Sequence, residues 1–151
     1  MRTYMVVIDE TEEARLALRF ASRRAAKTHG NVHILALVEQ ADFLAWGGVQ
    51  ATMEAEALSR AEELVASAAG ALFQESGIRP SITVKAGEGI EVVRKMLEEN
   101  NDIAALVLGA AADGSPGPLV TYFAATHAGT LNCPVIVVPG SMSDERIDAI
   151  S

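Results

Sequence analysis

The sequence predicts an α/β fold: a single doubly wound parallel sheet of five strands with helices on both faces. Three observations predict it. Short runs of β-branched and other apolar residues recur along the chain, and a strand apolar throughout is one buried on both faces. Between them lie Ala- and Leu-rich stretches with apolar residues at three- and four-residue spacing, the mark of helices that bury one face. Half of the residues are hydrophobic while aromatics make up only 5%, so the core must be built from Ala, Val, Leu and Ile. Regular alternation of strand and helix then implies right-handed crossovers within one parallel sheet.

Residues 4–8, Tyr-Met-Val-Val-Ile, open the series as a strand. Asp9, Glu10 and Thr11 end it. Residues 12–29 turn helical, with Ala14, Leu18, Ala21 and Ala25 in step and Gly30 as the stop. Residues 31–38 return to strand, 52–75 form a long helix stopped at Gly77, and 81–86 make the third strand. Helix 91–100 leads to the fourth strand at 103–108. A Gly/Ala/Pro loop covers 109–118, residues 119–131 carry helical spacing through Leu119, Phe123, Ala124 and His127, and 134–138 close the series. The reading is one domain over 1–140 with a short C-terminal tail, 141–151. In that tail Asp144, Glu145 and Asp148 surround Ile147 and Ile150, as in an amphipathic turn or two of helix. Residues 42–49, with Trp46 and the Gly47-Gly48 pair, are too short and glycine-broken for an element; a lid, a cover over a helix end and a subunit contact all remain open.

Composition narrows the function classes. Twelve Lys and Arg against twenty Asp and Glu give a formal charge of −8, which repels phosphate backbones and argues against nucleic acid. Cys133 is the only cysteine, so no internal disulfide is expected and a reducing compartment fits. The N-terminus runs straight into a strand without a signal-peptide pattern, and no run approaches the roughly 18 apolar residues of a membrane span. The expectation is a cytoplasmic protein without membrane attachment. His29, His33 and His127 are scattered, so no metal site is expected, and neither a Gly-x-Ser-x-Gly elbow nor a Gly-Lys-Ser/Thr phosphate loop occurs. The Gly87-Glu88-Gly89 turn lacks the third glycine of a dinucleotide fingerprint, with Val92 in its place.

In an open doubly wound sheet, ligands bind beyond the carboxyl ends of the strands where the winding reverses. If the first strand is central, that point lies past strands one and four, at Asp9 and Gly109. Asp9 suits a ribose hydroxyl, an adenine edge or a metal ion; it equally suits the turn and the cap of the first helix. The loop from Gly109 to Pro118, with Gly114 and Gly117, leads into a helix whose amides can receive an anion, although Asp113 works against a triphosphate there. A plain tight connection explains the loop nearly as well.

The opening Val6-Val7-Ile8-Asp9, the markers Ala17-Leu18, Ala21, Gly87 and Leu106-Val107-Leu108-Gly109, and the ending Asn132-Cys133-Pro134-Val135-Ile136-Val137-Val138 together resemble the universal stress protein family along nearly the whole chain. The resemblance implies strand order 3-2-1-4-5 and a homodimer made through the last strand, at Val135, Ile136, Val137 and Val138. It also implies an adenine pocket near the end of the second strand, at Val38. Family members that bind ATP carry Gly-x-x-Gly, nine residues, then Gly-Ser or Gly-Thr. Here Gly109 matches, Ala112 stands for the second glycine, Thr121-Tyr122 stand for the final pair, and the intervening loop is a residue short, with Gly114 and Gly117 as partial substitutes. A tyrosine at a phosphate position blocks close backbone approach, and Thr121 resists the φ > 0 geometry open to glycine.

The expected function is a dimeric stress-response protein, not a committed enzyme, sensing an adenine nucleotide, AMP or ATP with Mg, at the cleft between strands one and four. The ligand set is Asp9, Val38, Gly109, Ala112, Gly114, Gly117, Thr121 and Tyr122. The alternative is a member that binds no nucleotide and acts through contacts with another protein. Slow nucleotide hydrolysis would need a second metal ligand or base beside Asp9, and the sequence offers none.

Overall fold

A computed structural model describes residues 2–38 and 47–151, with the side chains of residues 47–51 left aside. Strands β1 (Thr3–Ile8), β2 (Asn31–Val38), β3 (Ser81–Ala86), β4 (Ile103–Ala110) and β5 (Val135–Pro139) alternate with helices α1 (Glu12–Thr28), α2 (Gly47–Ser76), α3 (Gly89–Glu99) and α4 (Pro118–Thr121), and α5 (Asp144–Ile150) follows β5. The five strands form one parallel sheet in the order β3-β2-β1-β4-β5. Chain order runs outward one way through β2 and β3, then jumps back across β1 to β4. The winding therefore reverses between β1 and β4, as the sequence requires of a central first strand.

Alternation along β1 builds two cores. Tyr4, Val6 and Ile8 point to the face covered by α1 and α2, where Leu16, Ala17, Ala21, Ala25, Ala61, Val65 and Leu72 meet them. Met5 points to the other face, among Val93, Met96, Leu97, Leu106, Leu108 and Phe123 from α3, β4 and the segment after α4. Side chains of period two on a strand buried on both sides read as a continuous apolar run. The alanines at 14, 17, 21 and 25, all buried, let α1 lie close to the sheet.

Three elements differ from expectation. β4 runs two residues further, through Gly109 and Ala110, which pair with Val138 and Pro139. The stretch at 119–131 is not one helix: α4 passes into a π-helix over Tyr122–Thr126 and then a 3₁₀ turn over Ala128–Thr130. The His127 amide reaches back five residues to the Tyr122 carbonyl at 2.9 Å, an insertion that apolar spacing does not reveal. Of the segment 42–49, residues 42–46 lie outside the described residues, while Gly47, Gly48 and Val49 begin α2. Glycine costs less there than in a helix interior because first-turn amides lack intrahelical partners in any case.

The tail folds back on α1. Ile147 is fully buried in the α1 core, and Ser143 caps α5 by accepting from the Arg146 amide at 3.2 Å. Arg15, Arg19, Arg23 and Lys27, four residues apart on one stripe of α1, meet it in turn. Arg15 donates to Asp144 at 2.8 Å and Arg19 forks onto both oxygens of Asp148 at 2.7 Å. Arg23 reaches the Asp148 carbonyl and the Ser151 hydroxyl, and Lys27 the Ser151 carbonyl.

Candidate functional site

The β1 strand ends at Ile8, and Asp9 begins a turn rather than capping α1. Its Oδ1 accepts from the Thr11 amide at 2.9 Å and from the Thr11 hydroxyl. Thr11 is the cap: its Oγ1 accepts from the Ala14 amide at 3.2 Å. A hydroxyl can donate and accept at once, so Asp9 orients the cap through Oδ1, and its Oδ2 takes no part in these bonds.

Gly109 has a packing reason to be glycine. A Cβ there would lie 2.9 Å from Glu13 Cβ and closer still to the Glu13 carbonyl carbon and oxygen. Gly140 closes the same junction: its amide donates to the Ala110 carbonyl at 2.7 Å, and its own Cβ would meet Glu13 Cβ at 3.2 Å. The first turn of α1 thus rests directly on the end of β4.

Between these ends opens a cleft of about 440 Å³, within the usual size of small-molecule sites. Val7, Leu37, Ile90, Leu108 and Leu119 give it an apolar floor; Asp9, Thr11, Glu13 and Glu88 supply its polar side chains, and Gly109, Pro116, Gly117 and Pro118 its far wall. Val38 lines an adjoining hollow of about 320 Å³ on the α2 side, which shares Ile8, Asp9 and Leu37 with the cleft and includes Arg60.

Of the residues singled out in the sequence, Asp9, Gly109 and Gly117 meet in the cleft and Val38 stands next to it. Ala112 and Gly114 belong to the loop but are not among the lining residues. Gly114 and Gly117 hold φ of 72° and 115°, a conformation glycine adopts readily, and the Ala111 amide donates to the Pro116 carbonyl across the loop. Thr121 and Tyr122 lie elsewhere. Both are right-handed helical, with φ of −60° and −71°, so no left-handed backbone is asked of Thr121; its hydroxyl donates to the Gly117 carbonyl at 3.1 Å. The Tyr122 ring packs on Phe123 and His127, centroids 4.8 and 4.3 Å away, beside a separate hollow with Arg94 and Asn132.

Glu88, Gly89 and Leu119 are cleft residues that sequence reasoning passed over. Glu88 caps α3, its carboxylate accepting from the Ile90 and Glu91 amides at 3.2 and 3.0 Å. The available signal was topological: every β-to-α junction of a parallel sheet opens on the same edge, so the β3–α3 turn borders the switch point. The histidines take structural places. His29 adopts a left-handed conformation at the end of α1. His33 sits between the Ser81 and Thr83 hydroxyls, both at 2.8 Å, and its burial lowers its pKa. Cys133 is half-buried, which pushes its thiol pKa up and keeps it protonated. No group of three or more His, Cys, Asp or Glu among the described residues has a metal-binding arrangement. Nor is any helix among them long and apolar enough to cross a membrane.

Comparison with solved structures places this architecture. The universal stress protein UspA from Lactobacillus plantarum superposes with a TM-score of 0.77 at 16% identity, over 91% of this chain and 97% of that one. A universal stress family protein from Arabidopsis thaliana with AMP bound gives 0.58 at 16%, over 96% and 95%. The universal stress protein from Archaeoglobus fulgidus in complex with dAMP gives 0.55 at 18%, over 91% and 98%. At these identities the likeness shows the fold. No curated protein matches the chain. The family model described as the universal stress protein family matches residues 1–139, the whole sheet with its crossover helices, and the chain belongs to that family.

Proposed function

We propose that this protein binds a small adenine-containing ligand in the cleft between β1 and β4, and that occupancy of the cleft is its signal in a stress response. The carrying observation is the cleft itself. It lies at the winding reversal, has an apolar floor suited to a ring, and presents Asp9 with a carboxylate oxygen free of the Thr11 turn. The fold-related proteins from Arabidopsis thaliana and Archaeoglobus fulgidus, crystallised with AMP and dAMP, support an adenine ligand. Asp9 takes the ribose hydroxyls, Val38 borders the ring, and Gly109 and Gly117 shape the far wall.

The fitting assembly is a homodimer along β5. Among the described strands it pairs with β4 alone, and Val137 is exposed on it, so a second copy would cover an open apolar edge. A role through protein contacts alone is the second reading, favoured by Thr121-Tyr122 lying outside the cleft, where nucleotide-binding members carry Gly-Ser.

Calorimetric titration with AMP and adenosine, beside Asp9→Ala, tests the proposal. Binding of either tighter than roughly 100 μM, about −5.5 kcal/mol, and lost in the variant is the expected result. Absence of heat with both ligands, and of any competition between them and a fluorescent adenine analogue, would leave the protein-contact reading.

A further inference from the structure

Among the described residues, every ionisable side chain lining the cleft is a carboxylate, Asp9, Glu13 and Glu88; the cation Arg60 belongs to the adjoining hollow on the α2 side. Several backbone groups around it are already engaged. Glu88 already holds the Ile90 and Glu91 amides at the start of α3. Across the cleft, Pro118 has no amide hydrogen and the Gly117 amide faces Ser115 Oγ, while behind the wall the Ala111 amide bonds the Pro116 carbonyl. A phosphate entering here would lose its hydration and meet charge of its own sign, whereas hydroxyl and amino groups would find acceptors.

From this enclosure, its apolar floor and its wall of acceptors, we infer that the cleft selects against phosphate and takes a neutral or cationic ring compound bearing hydrogen-bond donors, the nucleoside being the type. The inference rests on the adenine-ligand reading above and fixes which chemical form of that ligand is held. The order of affinity becomes adenosine, then AMP, then ATP. Salt acts with an unusual sign. Screening weakens an attraction between phosphate and cations, but here it relieves a repulsion, so ATP binding strengthens with added salt while adenosine binding stays level.

The test is titration of the full chain with adenosine, AMP and ATP at about 20 mM and about 300 mM salt, where the screening length differs by several fold, without divalent cations and then with Mg for ATP. At low salt adenosine should bind at least tenfold more tightly than ATP, a difference of about 1.4 kcal/mol. The gap should narrow at high salt, on adding Mg, and in Glu88→Gln and Glu13→Gln. The Glu13 variant serves as the second check because it leaves the α3 cap intact. ATP binding as tightly as adenosine at low salt, or a gap unchanged in both variants, would overturn the selectivity and leave the adenine site standing. Failure of all three ligands to bind would overturn both.

Discussion

Gly109→Ala tests whether the glycine shared with nucleotide-binding relatives is held here by packing. A Cβ at this position would stand 2.9 Å from Glu13 Cβ, against about 3.5–4.0 Å for carbon atoms at rest, and closer again to the Glu13 carbonyl carbon and oxygen. Those last two atoms are backbone of the first turn of α1, so no side chain can swing away. With the Glu13 carbonyl carbon only 2.4 Å away, either α1 or the end of β4 must shift by roughly 1.1 Å to reach that contact range. Overpacking of a close-fitted junction costs about 1–3 kcal/mol, and a rigid backbone neighbour places this case at the upper end. For a chain of this size each kcal/mol lowers Tm by about 2–4 °C, giving a drop of roughly 2–12 °C. The control is Gly129→Ala, where an added Cβ meets nothing within 4 Å. Differential scanning calorimetry of both variants decides. A Gly109→Ala protein melting within 1 °C of the parent, by this reckoning, would show that α1 does not rest on β4 as described.

Ile147→Ala should cost about 2–5 kcal/mol in denaturant unfolding, because this fully buried side chain anchors the tail in the α1 core; a cost near zero would make the tail an ornament. Arg19→Ala should speed amide exchange over residues 144–150 and leave β1 and β4 protected, since Asp148 loses its forked partner; an unchanged exchange pattern would refute the clamp. Acid acts the same way. Hydrogen bonds from Arg15 and Arg19 hold Asp144 and Asp148 below the usual carboxylate range, so their contribution is present above the unfolded value of about 3.9 and lost as pH falls below it. His33 governs a higher window: its folded pKa is lowered by burial, so below about 6.5 the unfolded chain takes a proton that the folded one resists, and stability falls from neutral pH downward. His33→Gln should flatten that slope in melts between pH 7 and 5. Light scattering at micromolar concentration should give twice the chain mass, and Val137→Lys should return it to one; a monomeric parent would remove the β5 interface.

The sequence by itself determined the fold. Apolar runs of strand length, Ala-rich helical spacing and glycine stops are local signals, and β2 and β3 fall at their expected residues because β2 starts at Gly30-Asn31 and β3 lies between Pro80 and Gly87. It also located the edge of the sheet that carries the cleft, since a winding reversal follows from strand order alone and strand order was implied by the family resemblance. What tertiary structure decided were relations between distant residues. Gly109 matches in sequence the first glycine of the nucleotide motif that the family resemblance implies; only the approach of α1 shows that Glu13 forbids a side chain there. Glu88 reads as part of a failed fingerprint, yet the fold turns it into a wall of the cleft and the cap of α3. Arg15, Arg19, Arg23 and Lys27 are four residues apart on α1. Their partners, the Asp144 and Asp148 carboxylates and the Asp148 and Ser151 carbonyls, lie more than 120 positions away, and helical periodicity carries no information about what docks on a polar stripe. Local spacing sets which residues share a face. Which faces meet is set by closure of the sheet and burial of the last core side chain, Ile147.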